Sequence, residues 1–150
     1  MITTAISRLT YLCDTIPHLL KAIPEDQFSH KPAPHKWSPK EEIGHLVDSA
    51  TNNHQRFIRA QFQDTPFIVY AQDEWNNRSR YHDMPSAHII SFWEIYNRHL
   101  IEIVKRIPQD ALQRKCLTNE PQSVTVEWLI IDYVAHQEHH LGKVVSYQST

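Results

Sequence analysis

The sequence predicts an all-α fold, a four-helix bundle with a long loop between its second and third helices. Two observations carry that reading. Four stretches place apolar residues at the three-and-four spacing of amphipathic helices. Only two glycines occur in 150 residues, few for a β-rich domain, whose hairpins draw on glycine for positive φ angles. The length suits a single domain, residues 1–150, large enough to bury a core.

The first helix is expected from about Thr3 to Ala22, with Ile6, Leu9, Thr10, Cys13, Ile16, Leu19 and Leu20 on its inward face. Ile23-Pro24-Glu25-Asp26 stops it, and a connector with Pro32 and Pro34 leads to Trp37. The second helix has the clearest start. Ser38-Pro39-Lys40-Glu41 offers a serine N-cap, a proline at the first helical position and a glutamate at N3, which is a capping box. It is expected to reach Phe62, carrying His45, Asp48, Asn52 and Arg56 along a polar stripe of its surface. Gln63 to Asp83 reads as a long irregular connection, and loops of about 20 residues in compact domains are often functional. The third helix, about Pro85 to Ile107, carries Ile89, Ile90, Trp93, Leu100 and Val104. After a connector containing Pro121, the fourth runs from about Val126 to Tyr147.

Charge and hydropathy exclude several classes. A formal net charge of −2 offers no basic surface to nucleic acid or anionic lipid. No apolar run approaches the roughly 18–20 residues that span a bilayer, and no signal-peptide pattern opens the chain, so a cytoplasmic protein acting on a small molecule is expected. Cys13 and Cys116 form no CxxC pair and are read as reduced core residues.

Eleven histidines are many for this length. His136 and His140 are four apart in the fourth helix, a spacing that stacks two imidazoles on one face. His139 at i+3 competes with His140, which is preferred because Tyr133, His136, His140 and Val144 form one inward stripe. His45 in the second helix supplies a third nitrogen if the two helices meet. Three histidines leave coordination positions open, a pattern of catalytic rather than structural metal sites. The HExxH arrangement is absent, and helix four lacks the ExxH that a di-iron bundle needs. Gly44 and Gly142 flank the proposed ligands. Each costs roughly 1 kcal/mol in a helix, a cost that close approach of a helix or ligand would justify.

Trp37 through Ser49 and the His136/His140 pair resemble the DinB/YfiT-like superfamily of four-helix bundles with a three-histidine metal site. Asn52-Asn53 to Arg59, and Asp64-Thr65-Pro66 through Tyr70, Asp73, Glu74 and Trp75, are closer to its YfiT-like branch. One departure is Lys143, where many relatives carry glutamine. The resemblance implies thiol-dependent transferases or isomerases using bacillithiol or mycothiol, or metal-dependent hydrolases.

The resulting expectation is a metal-dependent thiol S-transferase. One divalent ion, zinc or nickel first and iron or manganese next, sits on His45, His136 and His140 with a low-molecular-weight thiol as cosubstrate. Asp48 is the candidate catalytic carboxylate, and Arg56 and Trp75 are candidate substrate-binding residues. The loop carrying Trp75 walls the site or supports a homodimer contact. The alternatives are a metal-dependent hydrolase, with Asp48 managing the proton of a metal-bound hydroxide, and a non-enzymatic metal-binding interaction bundle.

Overall fold

The computed structural model describes residues 1–149. Its long helices are α1 (Ile2–Lys21), α3 (Pro39–Arg59), α5 (Ser86–Val104) and α6 (Val126–Leu141), with short helices α2 (Glu25–Phe28) and α4 (Gln72–Ser79) in the connections. The four long helices form the expected bundle. α1 and α3 each pack against both α5 and α6, which sets α1 diagonally opposite α3. Lys40 of α3 reaches the Met84 carbonyl just before α5, and His54 further along α3 meets Tyr96 further along α5. These two helices therefore run in the same direction. α6 runs against α3, because His136 faces Ser49 while His140 faces Glu42.

The capping box at the start of α3 forms in full. The Ser38 hydroxyl accepts from the Glu41 backbone N–H at 3.1 Å, and the Ser38 N–H donates to the Glu41 carboxylate at 3.0 Å. Such a cap is worth about 1 kcal/mol. Here it also fixes where the helix begins, and hence which way His45 points.

The connection after α3 differs from the expected irregular loop. Residues 63–71 are irregular, but Gln72–Ser79 form α4, followed by a 3-10 turn at Tyr81–Asp83. α4 has no apolar stripe for periodicity to detect. Asp73 and Glu74 in its first turn favour it through the helix dipole, and Arg78 pairs with Glu74 one turn earlier. It docks through Asn76, whose buried amide donates to the Glu41 carbonyl. Phe67 bridges to Leu117 beside a two-residue hairpin, β1 (Lys115–Cys116) with β2 (Val124–Thr125).

The fourth helix is shorter than its apolar pattern predicts. α6 ends at Leu141, and Gly142 caps it in right-handed geometry with its N–H on the Glu138 carbonyl. Cys13 and Cys116 are both buried free thiols. Among the described residues no helix is long and apolar enough to cross a membrane.

Candidate metal centre

α3 and α6 bring His45, His136 and His140 together near the start of α3. One ligand atom from each lies within 4.8 Å of the others. The Nε2 atoms of His45 and His136 are 3.2 Å apart. With metal–nitrogen bonds of about 2.0–2.1 Å, that separation subtends about 100° at a shared ion, an angle that tetrahedral and distorted octahedral ions both accept. The donor set therefore fits a single divalent metal. His139 is exposed and off the cluster, so His140 is the histidine that α6 delivers beside His136.

Neighbouring side chains orient two of the rings. His140 Nδ1 lies 2.7 Å from the Glu42 carboxylate. Donation of the Nδ1 proton to this carboxylate leaves Nε2 with its lone pair free, the familiar carboxylate–histidine arrangement behind metal ligands. His136 Nδ1 lies 3.3 Å from the Ser49 hydroxyl. Among the described residues His45 has no such partner; its Nδ1 is buried and unpaired, and Trp37 packs over its ring at 4.8 Å between centroids. Burial, reinforced by the neighbouring histidines and Lys143, pushes the pKa of His45 down to about 3 and that of His136 down to about 4. Both are thus neutral at physiological pH, the form that binds a metal.

The polar stripe of α3 faces the protein interior, with Arg56 at its half-buried end. His45, Asp48, Ser49, Asn52 and Asn53 are all buried. Asp48 accepts a 2.5 Å hydrogen bond from the Tyr81 hydroxyl, while its second oxygen is buried without a partner among the described residues. Burial raises its pKa to about 6, against the opposing hydrogen bond from Tyr81. Gly44 makes that contact possible. A Cβ there would sit 2.3 Å from the Tyr81 ring, so only glycine lets the tyrosine lie against α3 and reach Asp48. No close approach explains Gly142, where a Cβ would meet only the carbonyls of its own last turn.

Two cavities flank the cluster. The larger, about 710 Å³, is bounded by the 31–39 connector, Gln72, Asp73, Asn77, Glu42 and Lys143. The smaller, about 160 Å³, contains His136 itself, with Ser49, Asn53, Arg56, Tyr70, Trp128 and Asp132. Arg56 lies in this second cavity, but much of its guanidinium is committed. Nε and Nη2 donate to the Ile68 carbonyl and Nη1 to Asn53. Asp48 and Trp75 line neither cavity. Trp75 instead packs edge-on against Tyr70, which does line the smaller one.

The model of the DinB superfamily matches residues 8–144. The chain belongs to the DinB superfamily. Among curated relatives, a Halalkalibacterium halodurans protein is 23% identical over 140 residues, covering 93% of this chain and 81% of the relative. That relative carries the provisional name of a metal-dependent hydrolase. Of solved structures, YfiT from Bacillus subtilis superposes with a TM-score of 0.85 at 16% identity, over 95% of this chain and 83% of that one. It is described as a probable metal-dependent hydrolase with an unusual four-helix bundle topology. The mycothiol-dependent maleylpyruvate isomerase superposes with a TM-score of 0.78 at 11% identity, over 96% of this chain and 60% of that one.

Sequence reasoning missed Glu42, Ser49, Trp37 and Tyr81 as parts of the site. Glu42 carried a usable signal, since it lies three residues before His45 and shares its side of α3. Tyr81 carried none, because its contact to Asp48 spans 33 residues and depends on the fold of the connection.

Proposed function

We propose that this DinB protein holds one divalent metal ion, zinc or nickel, on His45, His136 and His140, and transfers a low-molecular-weight thiol to an electrophile. The observation that carries the reading is the convergence of three imidazoles on one point, with no carboxylate among the ligands and His136 opening onto a cavity. A divalent ion held there would supply positive charge uncompensated by any ligand, the chemistry that lowers a thiol's pKa and favours its thiolate. Glu42 and Ser49 hold the His140 and His136 rings so that lone pairs face the centre. Trp37 covers His45 and keeps water from that side. Arg56, fixed by Ile68 and Asn53, adds a positive charge to the cavity wall and draws an anionic group of the thiol. The fold likeness to a thiol-dependent isomerase supports the same reading.

The test uses purified protein reloaded with each metal, a panel of small thiols and an electrophilic aryl halide. Metal-dependent conjugate formation, abolished by replacing the three histidines with alanine, is the expected result. The hydrolase reading is favoured by the names of two relatives and by the free carboxylate of Asp132 in the cavity. Ester or amide cleavage by the metal-loaded protein without any thiol would replace the transferase with that reading.

A further inference from the structure

The larger cavity beside the cluster, about 710 Å³, has the size of a small-molecule pocket, and the smaller one, about 160 Å³, does not. It adjoins the metal ligands through three of the residues that line it. Trp37 packs on the His45 ring, Glu42 holds His140, and Lys143 lies one turn beyond His140.

Three lysines and two carboxylates line this cavity: Lys31, Lys36 and Lys143 with Glu42 and Asp73. Lys31 pairs with Glu41 at 2.9 Å, and Glu42 is engaged with His140 at 2.7 Å. Lys36 and Lys143 are then opposed by Asp73 alone, and none of the three has an ion-pair partner among the described residues. The excess is positive. Lys143 matters most, because its charge reaches the cluster and helps lower the pKa of both His45 and His136. A charge that disfavours a proton on those rings disfavours a divalent ion there for the same reason. No ligand of the cluster is anionic to offset it. An anion seated in the cavity would neutralise Lys143 and relieve the ion of that repulsion.

We infer that the larger cavity takes a small organic anion, a carboxylate or a phosphate ester, and that Lys143 is the residue that reads its charge. The inference rests on the metal of the proposed function and names the class of the second substrate, the electrophile. Lys36, on the connector wall, adds attraction, and Trp37 offers apolar surface to the organic body. Because both equilibria belong to one protein, anion and metal tighten each other by the same factor.

The experiment measures zinc affinity by competition with a chromophoric chelator, with and without benzoate, phenyl phosphate or the uncharged benzamide. At least one of the two anions is expected to tighten zinc binding about fivefold or more, and benzamide to change it by less than about twofold. In Lys143→Gln, zinc alone should bind several-fold tighter than in the parent, and the anion effect should fall below about twofold. Lys143→Arg should keep the anion effect. Lys143 is exposed and lies beyond the last turn of α6, so both variants retain the bundle. Which anion acts distinguishes a carboxylate substrate from a phosphorylated one. An anion effect that persists in Lys143→Gln would assign the anion to the metal alone and overturn the inference. So would the failure of both anions on parent protein that holds one equivalent of zinc, and either result leaves thiol transfer standing. Parent protein that binds no zinc would remove the proposed function and the inference together.

Discussion

Where α3 ends, the bundle interior holds Phe57 with Leu9, Leu100, Val104, Ile130 and Val134, and the small gap among them has no polar lining. Near where α3 begins, the interior holds His45, Asp48 and Ser49, with two of their polar atoms, His45 Nδ1 and Asp48 Oδ2, left unpaired. The apolar end gains stability from area removed from water, about 25 cal/mol per Å², and many side chains of the right volume would serve there. The histidine end gives up some of that gain, because buried polar groups without partners cost free energy. The same helices thus carry a stabilising half and a half that gives up stability to hold polar groups inside the bundle. Such division is the usual signature of a functional site in a bundle.

The largest effect expected is total. Replacing His45, His136 and His140 with alanine should take bound metal from one equivalent to none, while the far-ultraviolet circular dichroism stays helical. One equivalent of metal retained in the triple variant would place the centre elsewhere. The converse experiment is Leu100→Ala in the apolar end. This fully buried residue should cost about 2–5 kcal/mol in a denaturant titration, with metal stoichiometry unchanged under native conditions. If stability falls in the histidine variant as far as in Leu100→Ala, the two halves are not separable in this way.

Gly44→Ala probes the boundary. The added methyl would overlap the Tyr81 ring at 2.3 Å, so the tyrosine must move off α3 and release Asp48. Overpacking of this kind costs about 1–3 kcal/mol. An alanine variant as stable as the parent would show that Tyr81 is easily displaced. Glu42→Gln is a subtler change, removing only the charge that accepts the His140 Nδ1 proton. Loss of such an orienting partner weakens metal binding about 10–100-fold. Competition with a chromophoric chelator measures it, and an unchanged affinity would assign Glu42 to structure alone.

Much of this division is legible in the sequence, and the reason differs between the halves. Apolar spacing identifies Leu9, Leu100 and Val104 because burial repeats with the helix period. The Ser38 cap is local and readable for the same reason. His45, His136 and His140 stand out because metal chemistry restricts residue type and because i, i+4 spacing is itself local. What spacing does not carry is contact between distant segments. The diagonal placement of α1 and α3, the docking of α4 through Asn76, and the Tyr81–Asp48 hydrogen bond all depend on how connections cross the bundle. Asp48 shows the consequence. Its position three residues after His45 suggests a place beside the metal, whereas the fold turns one of its oxygens toward Tyr81.

The last effect expected is on the acid dependence of apo-protein stability, where the two kinds of buried group oppose each other. His45 and His136 titrate below the ordinary 6.5, at about 3 and about 4. Their contribution is fully present above pH 6.5 and is lost as pH falls through those values, since the unfolded chain takes up protons first. Asp48 runs the other way. Its pKa of about 6 exceeds the ordinary 3.8, so its contribution is present below pH 3.8 and lost as pH rises through about 6. Between pH 6.5 and 3.8 the terms have opposite sign, and Asp48 offsets part of what the two histidines lose in mild acid. Asp48→Asn removes one side of that balance. Its unfolding free energy should fall more steeply than the parent's from pH 6 to pH 4, whereas the Leu100→Ala curve should run parallel to the parent's. Denaturant midpoints taken at half-unit pH intervals on metal-free protein compare the three curves. If Asp48→Asn also runs parallel, Asp48 is ionised in the folded state at ordinary acid strength, and the cost of the histidine end lies with the imidazoles alone.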